Sequence, residues 1–349
     1  MKHFNQAMHP GIKAALLAAL LFGAATPLAK PLLSGNSPWL IAGLLYLGSG
    51  LGLTLLRRLR PGPKVVLPRA ELRWFAGAVT CGGIIAPVLL MFGLTHMAAA
   101  DASLLLNAEG VFTALLAWFA FKENVDKRIV CGMLAIVAGA AILSWPDTLE
   151  LQRLWPSLAV LGACLAWGLD NNLTRKVSLN DASWIAAVKG LVAGGTNLGL
   201  ALLLGAHLPS WPVIGGAMTI GFLAYGVSLT LFIVALRHLG TARTGAYFSV
   251  APFFGALLAV VMGEPMTLPL LAAGALMAFG IWLHLSERHE HLHRHEPMEH
   301  EHEHTHDAHH DHAHPWPTAP GTRHNHAHRH APLEHAHSHF PDMHHRHQH

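Results

Sequence analysis

Ten apolar stretches follow one another along the first 286 positions of this 349-residue chain, separated by short polar breaks. They lie at roughly 12–32, 38–57, 72–94, 98–121, 129–145, 155–176, 184–205, 213–236, 243–262 and 267–286. A helix that crosses a bilayer needs about 20 such residues. The pattern therefore predicts an all-α integral membrane protein of ten transmembrane helices joined by short hairpin connections. Lys2 and Lys13, ahead of the apolar run Ala14–Ala25, imitate a secretory signal. More spans follow directly and no polar domain does, so this stretch is read as the first helix. Past position 286 the pattern stops. The tail, 287–349, has almost no apolar periodicity and is expected to be disordered without metal.

Composition fits a bilayer as solvent. Hydrophobic residues make up 52% of the chain and charged residues 12%, where soluble domains average about 25% charged. The basic residues form no patch of the kind that binds nucleic acid. They gather in alternate loops instead. Arg57, Arg58, Arg60, Lys64, Arg69 and Arg73 follow the second helix, Lys122, Lys127 and Arg128 the fourth, and Arg175 and Lys176 the sixth; Arg237 and Arg243 lie between the eighth and ninth. Ser34–Ser37 has no basic residue and Asp147–Arg153 has one. The positive-inside rule then places the basic loops and both termini in the cytoplasm, and a bacterial inner membrane is the expected location. Cys81, Cys131 and Cys164 fall inside apolar stretches without a CxxC pair, which reads as small buried hydrophobes.

The chain also repeats itself. Leu21-Phe22-Gly23 through Lys30 aligns with Ala166-Trp167-Gly168 through Arg175. Gly93–Met97 matches Ala235–Leu239, and Thr113–Ala117 matches Gly255–Ala259. The offsets are 145 for the first pair and 142 for the others. The chain divides accordingly into a first repeat at 1–145, a second at 155–286 and the tail at 287–349. Five spans per repeat is odd, so the second must enter the membrane from the opposite side. Inverted repeats of this kind build alternating-access transporters.

These residues resemble the drug/metabolite transporter superfamily, in its EamA branch, over about 11–286. The shared pattern is an aromatic–glycine pair near the first helix of each repeat, here Phe22-Gly23 and Trp167-Gly168. An alanine-rich approach to the fourth helix follows, here Gly93–Ala102 and Ala235–Thr244. A glutamate comes after that helix (Glu123 and Glu264), then a glycine-bearing fifth helix (Gly132 and Gly139, Gly274 and Gly280). The resemblance implies the ten-helix fold and solute transport. It does not single out a substrate, because the family carries amino acids, sugars, nucleotide precursors and other metabolites. Some nickel- and cobalt-resistance members are similar in joining such a core to a histidine-rich end, which raises a metal-export reading.

Ionisable and amide side chains inside a bilayer are costly and become functional candidates by default. Glu109 sits near the centre of the fourth helix with Asn107 two residues before it. Asp170, Asn171 and Asn172 follow Gly168 in the sixth, and Lys30 closes the first. Lys189 and Asn197 lie in the seventh. Glu109, Asn107, Asp170, Asn171, Lys30 and Asn197 form the expected transport pathway, in which a carboxylate binds a proton or a cation in turn. Lys189 is read as a residue that snorkels, and His96 and His238, at matching positions, as interfacial. Pro27, Pro87 and Pro252 are candidates for helix kinks.

The tail carries 23 of the chain's 29 histidines. They run mostly as His-x-His: His289, His291, His293 and His295; His300, His302, His304 and His306; His324, His326, His328 and His330; His335, His337 and His339. Imidazole at neutral pH offers a free lone pair and suits zinc, copper, iron and nickel, and a divalent transition metal, nickel, cobalt or zinc, is expected on the tail. The spacing is not that of a structural zinc site, so a flexible sponge with several interchangeable sites is expected. No tightly bound cofactor is expected beyond this metal.

Two functions fit. One is efflux of a divalent metal, nickel or cobalt first, driven by an ion gradient, with Glu109 and Asp170 in the pathway and the tail collecting cargo. The other is export of a metabolite, amino acid or drug-like, with the tail buffering or sensing metal. A membrane store that does not transport needs only one helix. No HExxH, P-loop or GxSxG motif stands in the sequence, so no enzyme is expected. The expected partners are the lipid bilayer and a small solute or metal ion, not nucleic acid; a homodimer is left open.

Overall fold

The computed structural model describes residues 10–60, 65, 67–121, 127–145, 154–174, 177, 181–239, 244 and 247–285, with four short segments of the tail. Helix α1 is Pro10–Ala29, prolonged by a 3-10 turn at Lys30–Leu33, and α2 is Pro38–Leu59. Gly35 turns the corner between them at φ 72, a left-handed conformation that other residues resist. Pro38 opens α2 in the first turn, where its missing N–H costs nothing. Helix α3 runs through Arg69–Ala78, Val79–Ile85 and Ala86–Leu94, and α4 through Ala99–Leu105 and Ala108–Phe121. Then come α5 (Lys127–Ser144), α6 (Trp155–Thr174) and α7 (Ala182–Leu203). Helix α8 runs through Trp211–Gly221, Phe222–Val227 and Ser228–Leu239, and α9 (Ala251–Val261) and α10 (Leu268–Leu285) close the core.

Six of these, Pro10–Leu33, Pro38–Leu59, Glu71–Leu94, Ala99–Leu116, Ala182–Leu203 and Trp211–Ala235, are long and apolar enough to cross a membrane. Val130–Ser144, Ala251–Val261 and Leu268–Leu283 are apolar but shorter. The expectation of ten spans is thus carried by length and composition at six. In the ninth stretch Ala251–Val261 is one helix with Pro252 in its first turn, and Thr244, Tyr247 and Phe248 ahead of it are helical too. Pro87 lies within α3, just past its π segment, and Pro27 inside α1.

Two segments are π-helical, Val79–Ile85 in α3 and Phe222–Val227 in α8. They begin 143 positions apart, between the two offsets read from the sequence. The packing follows the same correspondence. Helix α1 lies against α8 and α9, while α6 lies against α3 and α4. Helices α2 and α7 pack on each other, as do α5 and α10. The α2–α7 seam is close because glycine replaces side chains there: a Cβ on Gly190 would come within 2.5 Å of the Gly50 nitrogen, and one on Gly43 within 2.6 Å of the Leu198 nitrogen. Small residues at such contacts are how helices associate where no water drives them together.

The tail forms a separate unit, Arg288–His349. Its described segments are strands: β1 (Glu290–His295) pairs antiparallel with β4 (Leu333–Ser338), and β2 (Glu299–His304) with β3 (His324–Arg329). The expected disorder is not met at these positions. His-x-His has a period of two, the period of a strand, and the register sets histidine opposite histidine, as at His293 and His335 or His302 and His326. His289, His306, His330 and His339 lie outside the described residues.

Candidate solute site

The centre of the bundle is organised around the π segment of α3. A π turn breaks the usual ladder and leaves carbonyls open to other donors. The Gly82 carbonyl accepts from Tyr46 Oη of α2 at 2.6 Å and from Trp167 Nε1 of α6 at 3.0 Å. Asn197 Nδ2 of α7 donates to Gly83 O at 3.2 Å and to Ile84 O at 3.5 Å. Asn197 Oδ1 is buried and has no partner among the described residues.

Gly82 serves a second purpose. The Asp170 carboxylate of α6 fills the space a Cβ on Gly82 would need. Asp170 is buried and ion-paired with Lys189 of α7, and its Oδ1 accepts from Thr174 Oγ1 at 2.9 Å. The sequence reading gave Lys189 a snorkelling role; instead it points inward and neutralises Asp170. A lone charge at this depth is costly and a pair much less so.

An aromatic wall adjoins the pair. Tyr46 stacks on Tyr225 of α8 with centroids 5.1 Å apart. Phe22 of α1 lies edge-on to Tyr225 at 5.9 Å and to Trp167 at 6.4 Å, and Phe248 is 5.3 Å from Phe22. Phe22 and Trp167 are the matched aromatics of the two repeats, brought into edge-on contact.

The other pathway candidates lie in different surroundings. Glu109, half-buried on α4, accepts from Asn171 Nδ2 of α6 at 2.8 Å, and the same nitrogen lies 3.2 Å from Thr113 Oγ1. Asn107 is turned back on its own helix: Nδ2 donates to Leu104 O at 2.9 Å at the break in α4 and touches Met277 Sδ at 3.6 Å. Among the described residues no group of three or more His, Cys, Asp and Glu stands together as metal ligands. An open groove of about 290 Å³ beside Val250, Phe253 and Trp282 is apolar and holds none of these side chains.

Lys30 belongs to a cluster at one end of the bundle. Its Nζ bonds Glu264 Oε1 at 2.9 Å and Met97 O at 2.8 Å. Glu264 also accepts from the Ala99 and Ala100 amides at 2.8 Å each, at the start of α4. Burial pulls the Glu264 carboxyl up, but those two amides and the Lys30 ammonium outweigh it and hold it below its ordinary 4.5. At the other end of α2, Arg57 pairs with Asp181 at 2.5 Å, ahead of α7. Burial raises the Asp181 carboxyl, while Ser183, the Trp184 amide and Arg57 together bring it below its ordinary 3.8. The sequence reading missed Lys189, Tyr46, Tyr225 and the pairing of Glu264. Glu264 carried a signal, as a glutamate at a repeat-matched position.

The model of the EamA-like transporter family matches twice, over residues 9–145 and 154–286. An uncharacterized transporter of Methanothermobacter thermautotrophicus is 27% identical over 288 residues, spanning 77% of this chain and 84% of that protein. The uncharacterized transporter YyaM of Bacillus subtilis is 22% identical over 204 residues, spanning 55% of this chain and 66% of that protein. One crystal structure shares the fold with a TM-score of 0.61 at 19% identity, covering 78% of this chain and 95% of the other.

Proposed function

Because this chain belongs to the EamA-like transporter family and is a multi-pass membrane protein, we propose that it is a secondary exporter of a small organic solute, working by alternating access in a bacterial inner membrane. The observation that carries the reading is the buried Lys189–Asp170 pair beside an aromatic wall to which both repeats contribute. Charged groups and rings at the junction of two repeats are what a small organic solute needs, and repeat junctions are where such transporters bind cargo. Glu109 exchanges the proton that drives each cycle, with Asn171 orienting its carboxyl. The alternate basic loops put the Arg57 end in the cytoplasm and the Lys30–Glu264 end outside. In this arrangement Lys30 closes the outer end and is no part of the solute path.

In proteoliposomes carrying an imposed proton gradient, the wild type is expected to drive solute accumulation. Glu109→Gln is expected to lose that gradient-driven accumulation while keeping solute-for-solute exchange. Full gradient-driven transport by the variant removes Glu109 from its role.

A second reading, efflux of nickel or cobalt, is favoured by the tail, where the strands set His291 opposite His337 and His300 opposite His328. Within the core the Lys189 cation beside Asp170 works against it, since it repels a divalent ion. The tail is then a metal buffer or sensor attached to an organic-solute exporter. Its removal is expected to lower the metal bound per chain, measured by elemental analysis of the purified protein, and to leave solute transport intact.

A further inference from the structure

We infer that the exposed arginines where α2 ends and α3 begins form a binding site for the headgroup of an anionic phospholipid, a site separate from the proposed solute path. Positions 57–73 hold six basic residues and one acidic, Glu71. The start of α7 gathers the two helix ends. Arg57 of α2 pairs with Asp181 at 2.5 Å and also donates to Ser183. Phe75 of α3 stacks on Trp184 with centroids 5.8 Å apart. The last turn of α2 and the first turns of α3 are thereby held around one point. Arg57 is spent on this task. Arg58, Arg60, Arg69 and Arg73 are exposed, and among the described residues none of them forms an ion pair. Lys64 lies outside the described residues. Arg73 lies over the Trp74 ring, 4.8 Å from its centroid, a contact that steadies a guanidinium without neutralising it. At the other end of α2 the loop Ser34–Ser37 has no basic residue, and Lys30 is paired with Glu264. The patch therefore faces one leaflet only.

The chemistry of the patch selects its ligand. A guanidinium binds phosphate oxygens through two parallel N–H donors. Leucines stand among the arginines: Leu59, 72% exposed, lies between Arg58 and Arg60, and Leu72, 57% exposed, precedes Arg73. Free phosphate has no use for these leucines. A phospholipid brings acyl chains to cover them and a phosphate for the guanidiniums. Phosphatidylcholine carries its own cation, which four arginines repel, so a headgroup with net negative charge is favoured. Each basic side chain beside an anionic headgroup contributes about fivefold in affinity. A lipid that bridges arginines of both helices holds the end of α2 and the start of α3 against α7.

The test titrates the purified full chain, in a neutral detergent, with phosphatidylglycerol, phosphatidylcholine and inorganic phosphate, and follows thermal unfolding. Phosphatidylglycerol is expected to raise the melting temperature by about 5 °C at roughly a hundredfold excess over its Kd, and the other two to leave it within about 1 °C. The variant combining Arg58→Gln, Arg60→Gln, Arg69→Gln and Arg73→Gln is expected to melt like the wild type without lipid, because all four side chains are exposed. Its affinity for phosphatidylglycerol is expected to fall at least about a hundredfold. No protection by phosphatidylglycerol overturns the inference. So does equal protection by phosphatidylcholine, which makes the site one for any lipid, or by inorganic phosphate, which makes it one for a soluble anion. A quadruple variant with wild-type affinity overturns it as well. Loop arginines also orient a chain in the membrane, so the four single variants stand behind the quadruple one. Each is expected to weaken phosphatidylglycerol about fivefold, and four singles at wild-type affinity give the same refutation.

Discussion

Helices α3 and α8 break into a π segment at matching positions, yet the two breaks are put to different uses. In α3 the freed carbonyls of Gly82, Gly83 and Ile84 draw in Tyr46, Trp167 and Asn197 from three other helices. In α8 the segment contributes the Tyr225 ring, and the Gly226 carbonyl is taken by Thr230 of the same helix at 3.0 Å. Two repeats supplied the same irregular backbone twice. One copy became a polar anchor and the other an aromatic surface. The scaffold is symmetric and its chemistry is not.

The sharpest way to break this comparison is to add one methyl group to a glycine of each π segment. Gly82→Ala drives a carbon into the Asp170 carboxylate and forces the pair with Lys189 apart, at an expected cost of about 3–5 kcal/mol. At Gly226 the nearest atoms to a new Cβ are Leu53 and Ser49, both at 3.4 Å. Gly226→Ala should be neutral or stabilising by up to about 1 kcal/mol, because alanine favours a helix. Thermal unfolding in one detergent measures both, and equal losses would refute the asymmetry.

A smaller effect is expected outside the π segments, at the Lys30–Glu264 end. Glu264→Gln keeps the shape but removes the charge, costing about 1–3 kcal/mol. Its pH dependence has a definite sign. The folded carboxyl lies below its ordinary 4.5, so its stabilisation is complete above that value and is lost as pH falls through the lower folded value. The wild type should therefore lose its advantage over Glu264→Gln only in acid, and a difference that vanishes near neutral pH would contradict the assignment.

Smallest of all is the pair of hydroxyls. Tyr46→Phe removes the 2.6 Å bond to Gly82 O, which still keeps Trp167; the expected loss is about 1 kcal/mol. Tyr225→Phe, whose hydroxyl has no bond among the described residues, should cost less. The same thermal measurement ranks them, and a reversed order would mean that α8 is the polar anchor.

Much of this could be read from the chain alone. Apolar stretches and their breaks located most helices to within a few residues, because burial in lipid demands length and little else. The repeat offsets anticipated the matching π segments without revealing that they exist, since no residue type marks an inserted π turn. Asp170, Asn197 and Glu109 stood out as polar residues in apolar surroundings. Their partners did not. Lys189 lies 19 positions from Asp170, and Glu264 is 234 from Lys30, so only the folded chain brings them together. The surroundings of Asn107 were hidden for a related reason: two residues from Glu109 along the helix, its amide donates to Leu104 O at the break in α4.

The contact of Gly50 with Gly190 bears on how such a machine moves. Where two backbones touch without side chains between them, neither can slide along the other without collision. On the proposed alternating-access cycle, helices α2 and α7 would serve as an axle rather than as gates, with rotation about their seam and α1 and α6, each leaning on helices of the opposite repeat, as the lever arms. A bulky residue at position 50 or 190 would wedge the bearing apart and carry with it Tyr46 and Lys189, which sit on these two helices beside the seam.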